Sequence, residues 1–193
     1  MGTIKTTNIE PIANNGTVTL GSSGDTFTVP SGVTVNMSSA TQTGVGGANT
    51  PAFHAYISSN QNVSDNTITK IEIDTEAFDT ASCYDNSSNY RFTPTTAGKY
   101  FVYGALEAGS SSNDTIQYAA LYLYKNGSVY QSAIFQNDNN NETKVPLTTS
   151  LIIDMNGSSD YIELFGQVDV TSGTPRFYES NKSTYFGAYK IIE

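Results

Sequence analysis

Residues 90–106 read YRFTPTTAGKYFVYGAL. An aromatic strand end runs into a Pro/Thr turn, a single glycine (Gly98) and then a long aromatic strand. Successive side chains of a strand point to opposite faces. From Lys99 to Glu107, Tyr100, Val102 and Leu106 therefore share one face, while Phe101, Tyr103 and Ala105 share the other. Apolar residues on both faces mark a strand covered on both sides.

The same alternation spreads outward. Strands are expected at residues 52–58, 67–74, 79–85, 89–93, 129–136 and 185–192. Residues 144–155 and 161–170 are expected to pair across Asn156-Gly157-Ser158-Ser159, with residues 173–180 left as a loop. The sharpest pattern is TIQYAALYLY at 115–124. Ala119, Leu121 and Leu123 face a core there, and Tyr118, Tyr122 and Tyr124 stripe the opposite side. The Asn126-Gly127 tip that follows is a hairpin signal. With no helical periodicity anywhere, about ten strands predict an all-β two-sheet sandwich. The last strand is expected beside the first.

Residues 1–50 differ, being rich in Gly, Thr, Ser and Asn and almost free of charge. Short alternating pieces (residues 17–20, 26–29 and 33–35) sit between turn residues. Such scraps are marginal alone, and three copies packed about one axis would give them a partner. The alternative is a low-complexity leader. The expected organisation is a β-rich trimerising leader or stalk at 1–43, a Gly-rich linker at 44–51 and a head at 52–193.

Two resemblances sharpen this reading. Phe92 stands six residues before Gly98, followed by Lys99 and Tyr100, with Tyr84-Asp85 upstream. Further on come LYLYKNG at 121–127, LIIDMNGSSDYIEL at 151–164 and YFGAY at 185–189. In this order the motifs resemble the globular head of the complement-1q family, related to the tumour necrosis factor superfamily. Val102 and Gly104 depart from it, standing where that family has aromatics. The resemblance implies a ten-stranded jelly roll, a homotrimer and a ligand-binding outer surface. The leader, TIKTTNIEPIANNGTVTLGSSGDTFTVPSGVTV, is similar to segments of marine bacteriophage tail-fibre and structural proteins.

Composition excludes other classes. The net charge of −9 and nine scattered Lys and Arg residues provide no basic footprint for nucleic acid. No segment reaches the length of a membrane span. Cys83 is alone, so no disulfide framework is expected. No signal peptide is read at the N-terminus. The single imidazole, His54, lacks a nucleophilic partner set and reads as a packed or surface strand residue. Carboxylates such as Glu72, Asp74 and Glu76 read as a solvated edge, so an enzyme is not expected; glycan hydrolysis is the catalytic alternative. Calcium takes oxygen ligands. The Asn/Asp-rich turns at 137–141, 85–86 and 113–114 lack its loop spacing and read first as hydrophilic turns, so no cofactor is expected.

The expectation is a virion protein, a tail-fibre or receptor-binding tip. Its partners would be itself, as a homotrimer, a host cell-surface glycan or protein, and other virion proteins through the leader. Tyr118, Tyr122, Tyr124, Phe101 and Tyr103 are expected at the trimer interface. Asn137, Asp138, Asn139, Asn140 and Tyr178 are expected in receptor-binding loops. A trimer-locking or capsid-decoration protein and a bacterial adhesin or lectin-like module are the rivals.

Overall fold

The computed structural model describes residues 19, 21–35, 49–137, 139 and 142–191. The chain divides into two units, Met1–Val45 and Gly46–Glu193.

In the first unit the expected turns at 21–25 and 30–32 are present, and the one at 14–16 lies outside the described residues. Asp25 donates its amide to Ser22 O at 3.0 Å, its carboxylate accepts from the Ser22 amide at 2.7 Å, and the Val33 amide reaches Pro30 O at 3.3 Å. Residues 26–29 and 33–35 are exposed and carry no strand pairing among the described residues. Of the piece at 17–20, only Thr19 lies among the described residues.

Among its described residues the second unit is an antiparallel sandwich of thirteen strand segments: β1 Ala52–Tyr56, β2 Gln61–Asn62, β3 Thr69–Lys70, β4 Thr75–Asp79, β5 Tyr84–Asp85, β6 Arg91–Phe92, β7 Gly98–Ser110, β8 Ile116–Lys125, β9 Ser128–Gln136, β10 Lys144–Met155, β11 Ile162–Val170, β12 Pro175–Phe177 and β13 Tyr185–Lys190. The larger sheet runs β2-β12-β7-β13-β1-β4, with β10 along the other side of β7. The smaller sheet runs β5-β6-β11-β8-β9, with β3 on β11. The last strand pairs with the first, Ala52 opposite Tyr189 and Tyr56 opposite Tyr185.

The opening stretch lies at the centre. Tyr100, Val102 and Leu106 are fully buried, as are Ala119, Leu121 and Leu123 of the facing sheet. Phe53 stacks on Tyr84 (centroids 4.5 Å) and Phe92 (4.6 Å) and meets the edge of Phe186 (5.0 Å). Phe92 meets Tyr100 edge-on at 5.7 Å. The motif residues Tyr84, Phe92, Tyr100 and Phe186 are thus one aromatic cluster spanning both sheets. Its two buried hydroxyls are satisfied, Tyr84 by Ile73 O at 2.9 Å and Tyr100 by Thr96 O at 2.7 Å. Gly98 opens β7 at φ +140°, a backbone conformation that disfavours any residue with a Cβ. At Gly104 a Cβ would stand 2.6 Å from Leu164 Cδ1, so the space an aromatic would need at this departure is filled by Leu164.

Three expectations are corrected. Residues 144–155 and 161–170 do not pair: β10 lies on β7 and β11 on β8. Asn156 Oδ1 accepts from the amides of Ser158, Ser159 and Asp160, which turns the chain across the end of the core instead of back on itself. A hairpin and a sheet-to-sheet corner both need such a turn, and the sequence between the strands does not distinguish them. In residues 67–74 only Thr69–Lys70 joins a ladder, although Ile71 and Ile73 are buried. The expected loop at 173–180 contains β12, whose Phe177 is buried against the core.

Candidate binding faces

Each sheet has an outward face, and the two differ in chemistry. On the larger sheet, cross-strand register places Tyr189, Phe101 and Ile152 in one row and Phe78, His54, Gly187, Tyr103 and Ser150 in the next. Phe101 meets Tyr189 at 5.4 Å and Tyr103 at 6.0 Å between ring centroids. His54 lies among Phe78, Tyr103 and Tyr185, with Nδ1 3.2 Å from the Tyr103 hydroxyl. Burial, with Lys182 nearby, lowers its pKa below the ordinary 6.5. The Tyr103 ring lies over Gly187, where a Cβ would stand 2.3 Å from Cζ. Phe78, Ile152 and Tyr189 remain 49%, 57% and 37% exposed. Exposed apolar residues scattered singly need no explanation; a contiguous set marks an interaction site.

On the smaller sheet the outward residues include hydroxyls, amides and charges, with Phe165 and Ile134 among them. Tyr118 and Tyr122 share a hydrogen bond at 3.1 Å, and Tyr122 donates to Gln167 Oε1 at 2.9 Å. Gln167 Nε2 in turn donates to Asn66 Oδ1 at 2.6 Å. Tyr124 packs on Phe165 at 4.2 Å. The Lys70 ammonium lies 2.6 Å from Glu163, whose carboxylate is almost buried.

One end of this face is concave. A hollow of about 510 Å³ is lined by Asn66, Gln117, Tyr118, Gln136, Asn137, Gln167 and Asp169. A β-bulge builds its floor. Asp169 pairs with Tyr118 but Val170 pairs with Ile116, so Gln117 is the extra residue. Ile116 and Ala119 are both fully buried although three residues apart, and the bulge turns Gln117 and Tyr118 outward together. The Asn137 amide donates to Gln117 O at 2.9 Å, fixing the end of β9 beside the bulge. The Asp169 carboxyl is pushed above its ordinary range by burial and by neighbouring Asp65.

The five residues expected at a trimer interface therefore divide. Phe101 and Tyr103 lie on the larger sheet's outer face, and Tyr118, Tyr122 and Tyr124 lie on the opposite side of the sandwich. Of the expected receptor loop, Asn137 lines the hollow and Asn139 is exposed, its amide on Asn137 Oδ1 at 2.9 Å; Asp138 and Asn140 lie outside the described residues. Tyr178 follows β12 as a half-exposed ring held on one side. Its hydroxyl donates to Ser110 O at 2.6 Å, and Lys144 Nζ sits 3.9 Å from its ring centroid.

The candidate calcium turn at Asp85 is also committed internally. Its carboxylate accepts from the amides of Ser87, Ser88 and Asn89 and from Asn89 Nδ2, and these bonds hold it well below the usual carboxylate range. Asp74, of the expected solvated edge, accepts from the Ser58 amide and hydroxyl at 2.8 and 2.6 Å. Among the described residues no group of three or more His, Cys, Asp or Glu gathers as for a metal ion.

No family model and no curated protein matches the sequence. Solved structures do match the fold, and they are jelly-roll domains of the tumour necrosis factor and complement-1q type. Eiger TNF from S. frugiperda aligns at 13% identity and a TM-score of 0.51, covering 72% of this chain and 90% of that one. The globular domain of zebrafish complement 1qA protein aligns at 10% identity and a TM-score of 0.51, covering 73% and 97%. Murine APRIL aligns at 9% identity and a TM-score of 0.50, covering 72% and 98%. At these identities the likeness is one of fold.

Proposed function

We propose that the chain is a homotrimeric attachment module of a bacteriophage virion, a tail-fibre or receptor-binding tip that engages a host cell-surface glycan or protein without catalysis or a cofactor. The observation that carries the self-association is the outward aromatic face of the larger sheet. Closing a ring by threefold rotation joins two different patches of the same chain. The aromatic face supplies one. The second is the edge strand β9, where Val129, Tyr130 and Ile134 are exposed. The fold likeness supports the same arrangement, and the leader's similarity to phage structural segments supports the virion assignment. Three copies of a weak site on one knob raise avidity without a deep pocket.

Light scattering on the purified chain tests the assembly, with three times the chain mass expected and a monomer mass overturning it. Binding of labelled protein to whole bacterial cells tests attachment. A chain that only locks a trimer, or decorates a capsid, would form the trimer and leave the cells unlabelled.

A further inference from the structure

We propose that the hollow on the outer face of the smaller sheet binds a neutral, polyhydroxylated sugar ring of a cell-surface glycan. The inference rests on the attachment reading and gives it a site and a ligand class. The volume of about 510 Å³ falls among small-ligand sites, roughly 300–1,000 Å³. Its lining is unlike an apolar drug-type cleft, since every lining residue carries an amide, a hydroxyl or a carboxylate.

Side-chain amides both donate and accept, as sugar hydroxyls do, and a carboxylate accepts from two neighbouring hydroxyls at once. Among the described residues, the amides of Gln117 and Gln136 and the Asp169 carboxylate have no side-chain hydrogen-bond partner, so they are open to a ligand. Gln167 is not open: Tyr122 and Asn66, itself a lining residue, hold its amide. Part of the lining is thus preorganised beside the open groups. Preorganisation lowers the ordering cost of binding. The bulge adds to it, because a regular strand would have turned Gln117 to the other face.

Charge selects the class. No Lys, Arg or His lines the hollow, Asp65 stands beside Asp169, and the chain carries −9 overall. An acidic sugar, a phosphate or a sulfate would meet repulsion without a compensating cation.

The test is saturation-transfer NMR on the full chain with galactose, glucose, mannose and N-acetylglucosamine, with sialic acid and calcium chloride as controls. At least one neutral sugar is expected to bind, with Kd on the order of 1 mM. Gln117→Ala with Gln136→Ala should weaken it about tenfold or more while melting temperature and particle mass stay unchanged. Asp169→Asn should weaken binding yet raise the melting temperature, a pairing that a merely structural residue would not give. The proposal is overturned if no neutral sugar binds, if only sialic acid or calcium does, or if the variants bind as the parent does. Whole-cell labelling in parallel separates the two readings. Cells labelled equally by parent and glutamine variant sink the hollow and leave attachment standing; sugar binding that the variants abolish, with cells unlabelled, does the reverse.

Discussion

The two outward faces are built from the same strand alternation and end in opposite chemistries. On the larger sheet the rings pack on one another, and Tyr103 sends its hydroxyl to His54 within the same layer. On the smaller sheet the tyrosine hydroxyls run in a chain, Tyr118 to Tyr122 to Gln167, that ends on Asn66. A tyrosine has an apolar body and a polar tip. The tip's partner decides whether a stripe of tyrosines makes a dry face or a wet one. The larger sheet offers rings, Ile152 and the small residues Gly187 and Ser150; the smaller sheet offers amides, a carboxylate and a bulge.

The widest gap between the faces should appear in assembly. Tyr103→Ser with Tyr189→Ser removes two rings from the dry face, and the particle mass should fall from three chains to one. Cell binding should then lose the avidity of three linked sites, about 10²–10⁴-fold. Tyr118→Ser with Tyr122→Ser on the wet face should leave the mass at three chains. Light scattering reads both, and a trimer that survives the first pair but not the second would reverse the assignment of the faces.

Gly187 permits a finer cut on the dry face. A methyl there would stand 2.3–2.7 Å from atoms of the Tyr103 ring, so Gly187→Ala must lift the ring from the sheet. Overpacking of this kind costs about 1–3 kcal/mol. The trimer should dissociate at a higher protein concentration than the parent, read by sedimentation, while sugar binding on the opposite face is unchanged.

Much of this is legible in the sequence. The Phe92–Gly98–Tyr100 spacing lies at the core, and the faces of β7 and β8 follow from alternation alone. Alternation reports which residues share a side of a strand, and nothing more. It could not assign Phe101 and Tyr118 to different sheets, because that depends on which distant strand each one pairs with. Nor could it show that Tyr122 meets Gln167, 45 positions away, or that Gln167 meets Asn66, 101 positions away. The bulge was hidden for a related reason. Gln117 breaks the period by one residue, and in the sequence that break looks like the fraying of a strand end. The loop position of Tyr178 likewise says nothing of Ser110, 68 residues earlier, which takes its hydroxyl.

The wet face also holds an ion pair that tests how dry its edge is. Glu163 is almost buried, and Lys70 reaches it at 2.6 Å while also donating to Asn89 O at 3.0 Å. Removing one partner of such a pair strands the other. Lys70→Met leaves a carboxylate in a nearly closed site and should lower stability by roughly 1–3 kcal/mol. Glu163→Gln leaves a neutral amide and a lysine that can swing to water, so its loss should be smaller. Urea denaturation of the two variants measures the difference; equal losses would mean that water reaches the Glu163 carboxylate freely.

The smallest effect is a pH response in which the two faces pull in opposite directions. His54 on the dry face has a pKa below 6.5 because burial, helped by Lys182, disfavours its cation; Tyr103 and Tyr185 are the titratable groups packed against it. The native chain then binds fewer protons than the unfolded chain just below pH 6.5, so stability is fully present above that value and falls as pH drops through the window. Asp169 on the wet face is raised above 3.8, and its contribution runs the other way, falling as pH rises above 3.8 through its own window. His54→Gln should therefore flatten the melting temperature between about pH 7 and about pH 5.5, whereas Asp169→Asn should raise it at neutral pH and leave that slope in place. Scans at two protein concentrations locate the His54 effect. A slope that shrinks on dilution places the titration where copies of the chain meet, and one that does not confines it to the fold of a single chain.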